Sequence, residues 1–210
     1  MSSYTKVHDY EINIFFKPAR LIIAGFSGAG KSYLTSLIIA KYGHKFHNII
    51  GYGTPLENGK ELGIIQDDEY NPFDEPDSSK SKLLIFDDII MNKKLMNLAS
   101  EVYIRGRHLN ISCIFLSQNI FLQDKSYRII ALNCTHVVLL RQRDLRQIVC
   151  FARTFLPSEK IDKFISLYKK EVLKKRHQYI LIDFTSDFDG PLAIRSSIVN
   201  EDSYERAFLI

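Results

Sequence analysis

No run of apolar residues in this chain approaches the roughly 18 that a membrane span needs, so the sequence predicts no transmembrane segment and no membrane partner. Residues 1–16, MSSYTKVHDYEINIFF, lack an apolar h-region and a small-residue cleavage site, so no secretory leader is expected. Cysteine is scarce. Cys113, Cys134 and Cys150 show no CxxC spacing, which argues against a disulfide framework or a thiolate metal site and for reduced core residues in a reducing compartment. There is no internal repeat and no low-complexity tract. No N-K-x-D follows an apolar strand; LLRQRD is not one. The guanine reader of a GTPase is therefore missing.

What is present is enough for one large domain. The chain has 210 residues, of which 46% are hydrophobic and 25% charged, an ordinary balance for a globular protein with a real core. We read 1–210 as a single domain. Residues 1–18 form an N-terminal extension, 19–150 the core, and 151–210 C-terminal helices and closing strands. The net charge is only +4 but is unevenly spread. Residues 57–79 hold eight acids against one lysine, whereas 141–180 hold eleven Lys and Arg against four acids. A basic C-terminal third fits either a solvated helix surface or a face for a polyanion.

Short apolar runs alternate with helical spacing. Strands are predicted at 19–25, 48–53, 82–90, 111–118 and 135–142, with closing strands at 178–184 and 191–197 around an FDG turn. Helices are predicted from Lys31 to a stop at Gly43, with Leu34, Leu37, Ile38 and Ala40 as its apolar spacing. Others follow at 92–108 (stripe Leu95, Leu98, Ala99, Val102), 145–151 and 158–175. Residues 57–81 lack periodicity and read as a long acidic surface loop. The fold class is α/β with a mostly parallel sheet. Gly25, Asp87 and Gln118 then all fall at carboxyl ends of strands, where such sheets bind ligands.

GFSGAGKS, residues 25–32, fits G-x-x-x-x-G-K-[ST] and sits between a predicted strand and a predicted helix, the context the motif requires. Its glycines let backbone N–H groups turn toward phosphate oxygens, and the helix adds its positive end. The nucleotide-binding set is Gly25, Ser27, Gly28, Ala29, Gly30, Lys31, Ser32 and Tyr33. Lys31 supplies a point charge for the β and γ phosphates, and Ser32 a hydroxyl for Mg²⁺. LLIFDDII places Asp87 at a strand end beside the P-loop strand as the second metal group. Asp88 is placed to orient and polarise water; the alternative is that one aspartate caps the next helix. A second acid here favours hydrolysis over transfer to a small acceptor. Gln118 is placed to touch the γ-phosphate. Arg107, with Arg105 in reserve, is a candidate finger acting on a neighbouring subunit's nucleotide.

GFSGAGKS, LLIFDDII, RGRHLNIS and IFLSQN together resemble the genome-packaging ATPases of large double-stranded DNA viruses, virophages, poxviruses and polinton-like elements, within the FtsK–HerA superfamily of RecA-like P-loop ATPases. GRH-N-IS followed by a strand and Gln is the most specific part. The motifs span 25–119, and beyond about Cys150 the likeness is only architectural. The resemblance implies ATP and Mg²⁺ as cofactors and a homo-oligomeric ring, pentamer or hexamer. It implies translocation of double-stranded DNA into a capsid through a capsid or portal component, in the virion or inside the host cell (cytoplasm or nucleus). By position it makes Lys31 and Ser32 the Walker A pair, Asp87 the Walker B acid, Asp88 the catalytic acid, Gln118 the sensor and Arg107 the finger. Asp-Asp departs from the Asp-Glu of bacterial members, so Asp88 must lie closer to the water or act through a second one. Candidate DNA-facing groups are Arg141, Arg143, Arg146, Lys174 and Lys175.

Rival readings share the loop. A nucleotide kinase should carry an arginine-rich lid, which RQRDLRQ only imitates, and paired aspartates with a strand-end glutamine fit it poorly. An AAA+-type remodelling ATPase usually has Asn or Thr at the sensor position and a helical lid. A nucleotide-binding scaffold without turnover would not need Lys31, Asp87 and Asp88 together. A plasmid or conjugative DNA pump would share the chemistry but not the capsid.

Overall fold

The computed structural model describes residues 4–7, 14–15, 17–74, 76–121, 124–174, 177–185, 194–195 and 205–208. Ten strands form one sheet in the order β1-β10-β9-β8-β7-β2-β6-β5-β3-β4. β2 (Arg20–Ala24), β3 (Asn48–Gly53), β4 (Ile64–Gln66), β5 (Lys82–Asp87), β6 (Ile111–Ser117) and β7 (His136–Leu139) are the parallel part. β8 (Ile180–Asp183), β9 (Ile194–Arg195), β10 (Glu205–Phe208) and β1 (Tyr4–Val7) extend it antiparallel beyond β7.

The parallel strands read as near-continuous apolar runs because both faces are covered. Along β2, Leu21 and Ile23 point into one core with α1 (Lys31–Tyr42) and the buried Ile14 and Phe15. Ile22 and Ala24 point into the other, with α2 (Lys93–Arg105), α3 (Lys125–Asn133), α4 (Leu145–Phe155) and α5 (Ile161–Glu171). On α1 the buried stripe is Leu34, Ile38, Ile39 and Tyr42, while Ala40 is exposed. The helix does end at Gly43, but in right-handed geometry that runs on into a short 3-10 turn. α2 carries the expected stripe, with Leu95, Ala99 and Val102 buried.

Several expectations are corrected. β5 is not beside the P-loop strand, because β6 lies between β2 and β5. Hydrophobic runs alone do not set strand order, and β6, buried at every position, took the place beside β2. The acidic segment 57–81 contributes β4, paired in parallel with β3. Residues 125–133, assigned no element from the sequence, form α3, capped by Asp124 accepting from the Tyr127 N–H. Helix 158–175 is a 3-10 turn at Ser158–Lys160 followed by α5, which stops at Glu171. Cys113 and Cys134 are buried, but Cys150 is exposed on α4. Burial pushes the Cys134 thiol up to about 12 despite the opposing charge of Arg20, so this thiol is inert near neutral pH. The FDG turn lies outside the described residues. No helix among the described residues is long and apolar enough to cross a membrane.

Candidate nucleotide site

The loop after β2 is pinned at its start by the strands on either side. The Gly25 N–H donates to the Ser117 carbonyl (3.0 Å) at the end of β6, and the Phe26 N–H to the Arg141 carbonyl (3.2 Å) just past β7. A side chain at Gly25 would collide with this clamp: its Cβ would stand 2.9 Å from Leu140 Cβ. Gly28 and Gly30 have φ of +80° and +99°, the left-handed region that favours glycine. Gly30 begins α1, and no side chain caps that helix, so its first-turn N–H groups and positive end remain free for an anion. Lys31 Nζ crosses the loop and donates to the carbonyls of Gly25 (2.8 Å) and Phe26 (3.4 Å). Burial holds the Lys31 ammonium below the usual lysine range, partly offset by the charges of Asp87 and Asp88.

Asp87 ends β5 and faces the start of α1. Its Oδ2 accepts from Ser32 Oγ at 3.5 Å, longer than a good O–H···O bond. Burial raises the Asp87 carboxyl above the ordinary range; Lys31 opposes that shift and Asp88 adds to it. Asp88 is exposed and left-handed (φ 53°), a conformation Asp adopts more readily than most residues. Neither aspartate caps the next helix: Asn92 does, its Oδ1 accepting from the Leu95 N–H (3.1 Å). Ser27, Gly28, Lys31, Ser32, Asp87, Asp88 and Gln118 open onto one cleft of about 340 Å³. Tyr33 lies at its rim, 61% exposed. Ala29 is buried beneath the loop, where its methyl supports the backbone.

A divalent cation fits the pair Ser32 and Asp87 only with help. Among the described residues no group of three or more His, Cys, Asp or Glu gathers anywhere. One hydroxyl and one carboxylate, both hard oxygen donors, suit Mg²⁺, which keeps its waters and takes further oxygens from substrate phosphates. They do not suit a resident metal held by protein alone.

Sequence reasoning missed the support beneath Asp87. Gly53 ends β3 with φ +78°, and Thr54, also on the cleft, donates its N–H to the Asp87 carbonyl (3.0 Å). Asp68 Oδ1 accepts from the Gly53 N–H (2.8 Å), and Gln66 Nε2 donates to the Gly53 carbonyl (2.9 Å). The acidic segment thus reaches back to hold the strand end beside the metal acid. The available signal was the GYG sequence closing an apolar strand. A Cβ on Gly53 would stand 2.1 Å from the Asp87 carbonyl oxygen, so backbone must shift. We expect Gly53→Ala to lose at least about 2 kcal/mol of stability and most nucleotide turnover. A thermal melt matching the wild type would refute it.

The predicted arginines divide. Arg107 lies exposed in the 3-10 turn Gly106–Leu109 that leads into β6, its Nε donating to His108 Nε2 (3.3 Å). That is the edge opposite the cleft, roughly seven strand residues or 23 Å away, so Arg107 does not reach its own chain's site. Arg105 is engaged within the chain, paired with Glu101 and lying over the Phe73 ring. Arg141 and Arg143 follow β7 on the same edge as the cleft, and the Arg143 guanidinium lies 5.5 Å from the Phe26 ring centre. Arg146 pairs with Asp144 (2.8 Å), which caps α4. Lys174 is exposed after α5, and Lys175 lies outside the described residues.

Lys31, Ser32, Asp87, Asp88 and Gln118 thus come from three segments to the carboxyl ends of β2, β5 and β6. The chain has a P-loop NTPase fold. It is similar to the genome packaging NTPase B204 of Sulfolobus turreted icosahedral virus 2 in complex with ATP-gammaS, with a TM-score of 0.60 and 16% identity over 87% of this chain and 98% of that one. The DNA-packaging ATPase B204 of Sulfolobus turreted icosahedral virus superposes with a TM-score of 0.57 and 18% identity, covering 81% and 95%. The cytoplasmic domain of the type VII secretion ATPase EccC of Thermomonospora curvata gives 0.54 and 11%, covering 90% of this chain but 25% of that one. No family model and no curated protein matches the sequence.

Proposed function

We propose that this chain is a Mg²⁺-dependent ATPase motor that translocates double-stranded DNA and packages a viral genome into a capsid. The observation that carries this reading is the cleft itself. One cation, two strand-end aspartates and a strand-end glutamine surround the uncapped start of α1, in a fold shared with packaging NTPases.

In this reading the loop N–H groups and Lys31 hold the β and γ phosphates, Lys31 exchanging its two carbonyl partners for phosphate oxygens. Ser32 and Asp87 would hold Mg²⁺, which neutralises charge as the terminal phosphate leaves. Asp88 orients the attacking water and accepts its proton. Gln118 contacts the γ-phosphate. Arg107 of one subunit serves the nucleotide of its neighbour in a ring of five or six, a role its exposed position on the opposite edge leaves open to it. Arg141, Arg146, Lys174 and Lys175 would grip the DNA backbone, and a portal or capsid component would anchor the ring.

The deciding experiment is ATP hydrolysis by purified protein with and without long duplex DNA. Stimulation by duplex supports the motor. Turnover that needs a nucleoside monophosphate would establish a kinase instead. The shared site is tested by mixing Arg107→Ala with Asp88→Asn subunits, each nearly inactive alone. Mixed rings contain interfaces that are intact on both sides, so we expect turnover to recover to a tenth or more of wild type. No recovery at any ratio would exclude a finger acting between subunits.

A further inference from the structure

We propose that Arg143, backed by Phe26, forms the platform on which the base of the bound nucleotide stacks. This inference rests on the nucleotide-site reading above and adds the part of the substrate that the cleft leaves unassigned. The cleft accounts for the phosphate end only. Ser32, Asp87, Asp88 and Gln118 lie on the side of β2 occupied by β6 and β5. A triphosphate with its terminal phosphate there runs back along the loop toward the opposite flank of β2, the flank of β7.

That flank is built rather than accidental. β7 pairs with β2 in parallel, and its continuation follows the P-loop closely: the Leu140 N–H donates to the Ala24 carbonyl (2.9 Å) and the Phe26 N–H to the Arg141 carbonyl (3.2 Å). Gln142 is held from below, its N–H donating to Tyr168 Oη (2.8 Å), which donates in turn to the Leu140 carbonyl (2.9 Å). The backbone that presents Arg143 is therefore fixed to the loop and to α5. Phe26 is half-buried and packs against the core, and the Arg143 guanidinium lies over its ring, 5.5 Å from the ring centre. Arg143 itself is exposed, and among the described residues no carboxylate forms an ion pair with it, whereas neighbouring Arg146 pairs with Asp144 at the surface. A planar guanidinium over an aromatic ring, on a side chain exposed to solvent, is a stacking surface for a heteroaromatic base. His177, from the segment after α5, lies against the same loop: its Nδ1 stands 2.8 Å from where a Gly30 Cβ would be. These placements also separate Arg143 from the other basic residues of the C-terminal third, as a group that faces nucleotide rather than DNA.

The test compares a ligand with a base and a ligand without one. Calorimetric binding of MgATP and of magnesium tripolyphosphate is measured on wild type, Arg143→Ala and Arg143→Lys, with Lys31→Ala as the phosphate control. Loss of base stacking should weaken ATP about tenfold in both Arg143 variants, while tripolyphosphate affinity changes less than twofold in Arg143→Lys, which keeps the charge. Lys31→Ala should weaken both ligands. Equal weakening of ATP and tripolyphosphate in Arg143→Lys, or no change in ATP binding, overturns the platform. So does unchanged ATP binding with weakened duplex DNA binding, which would return Arg143 to the DNA face. If wild type binds neither ligand, the nucleotide-site reading fails first and takes the platform with it.

Discussion

Lys31→Ala is expected to reduce ATP turnover by about a hundredfold to a thousandfold, to background, while leaving the fold intact. Among the described residues that line the cleft, Lys31 is the only cation, against two aspartates. Without it a triphosphate meets net negative side-chain charge in a partly desolvated site. Preorganised charge of this kind is worth about two to three orders of magnitude in rate. Stability should hardly change. Burial works against the Lys31 ammonium, and its two partners are backbone carbonyls of a partly exposed loop. The check is steady-state hydrolysis beside a thermal melt. Residual turnover above a tenth of wild type would contradict the role, and a collapsed melt would mean that the lysine is structural.

Asp183→Ala should cost about 3–5 kcal/mol of stability, the largest loss we expect from a polar side chain away from the cleft. Asp183 ends β8 and joins three strands. Its Oδ2 accepts from Arg195 on β9 (2.9 Å), its Oδ1 lies 3.4 Å from His136 Nε2 on β7, and the same Oδ1 accepts from the Thr185 N–H (2.8 Å) and hydroxyl (2.6 Å). His136, Asp183 and Arg195 are all buried, at 5%, 6% and 2% exposure. Removing the carboxylate strands a guanidinium whose Nε already lacks a partner. Adding Arg195→Met should recover much of the loss, because the penalty lies in the orphaned charge. Burial by itself would raise the Asp183 carboxyl, but His136 and Thr185 hold it well below the ordinary range. A folded value below the unfolded one stabilises above the unfolded pKa of about 3.9 and is lost as pH falls below it. Wild type should therefore lose stability below about pH 4 along a limb that Asp183→Asn lacks. Chemical denaturation at pH 7 and pH 3 measures both, and a variant as stable as wild type at pH 7 would contradict the argument.

The chemistry-bearing residues were legible because each sits where an apolar run stops. Gly25, Asp87 and Gln118 end three strands, and parallel strands present their ends on one edge. Strand order was not legible. Nothing in the apolar composition of β5 and β6 says which lies against β2, since both are buried on both faces. α3 was overlooked because its two buried residues, Tyr127 and Ile130, make too thin a stripe in nine residues to show a period. The hold of Asp68 and Gln66 on Gly53 was invisible for a different reason. It is a long-range contact between polar residues, and in sequence those residues look like ordinary loop acids and amides. Charge counts carry no direction, so the sequence does not show that Arg141 and Arg143 follow β7 on the edge that holds the cleft.

The place of β2 in the sheet also sets a schedule for synthesis. Its partners are β6 and β7, with Arg20 opposite Cys113 and Leu21 opposite His136. The first of these emerges 93 residues after β2, the separation at which the Ala19 N–H meets Ser112 Oγ. At about 5–20 residues per second, the ribosome leaves Leu21, Ile22, Ile23 and Ala24 unpaired for roughly 5–20 s. In that interval β3, β4 and β5 can pair with one another but not with the strand that carries the phosphate loop. A nascent chain of this protein therefore keeps four buried apolar residues of β2 without a partner strand through that interval, and holdase chaperones that bind short apolar segments will find them there.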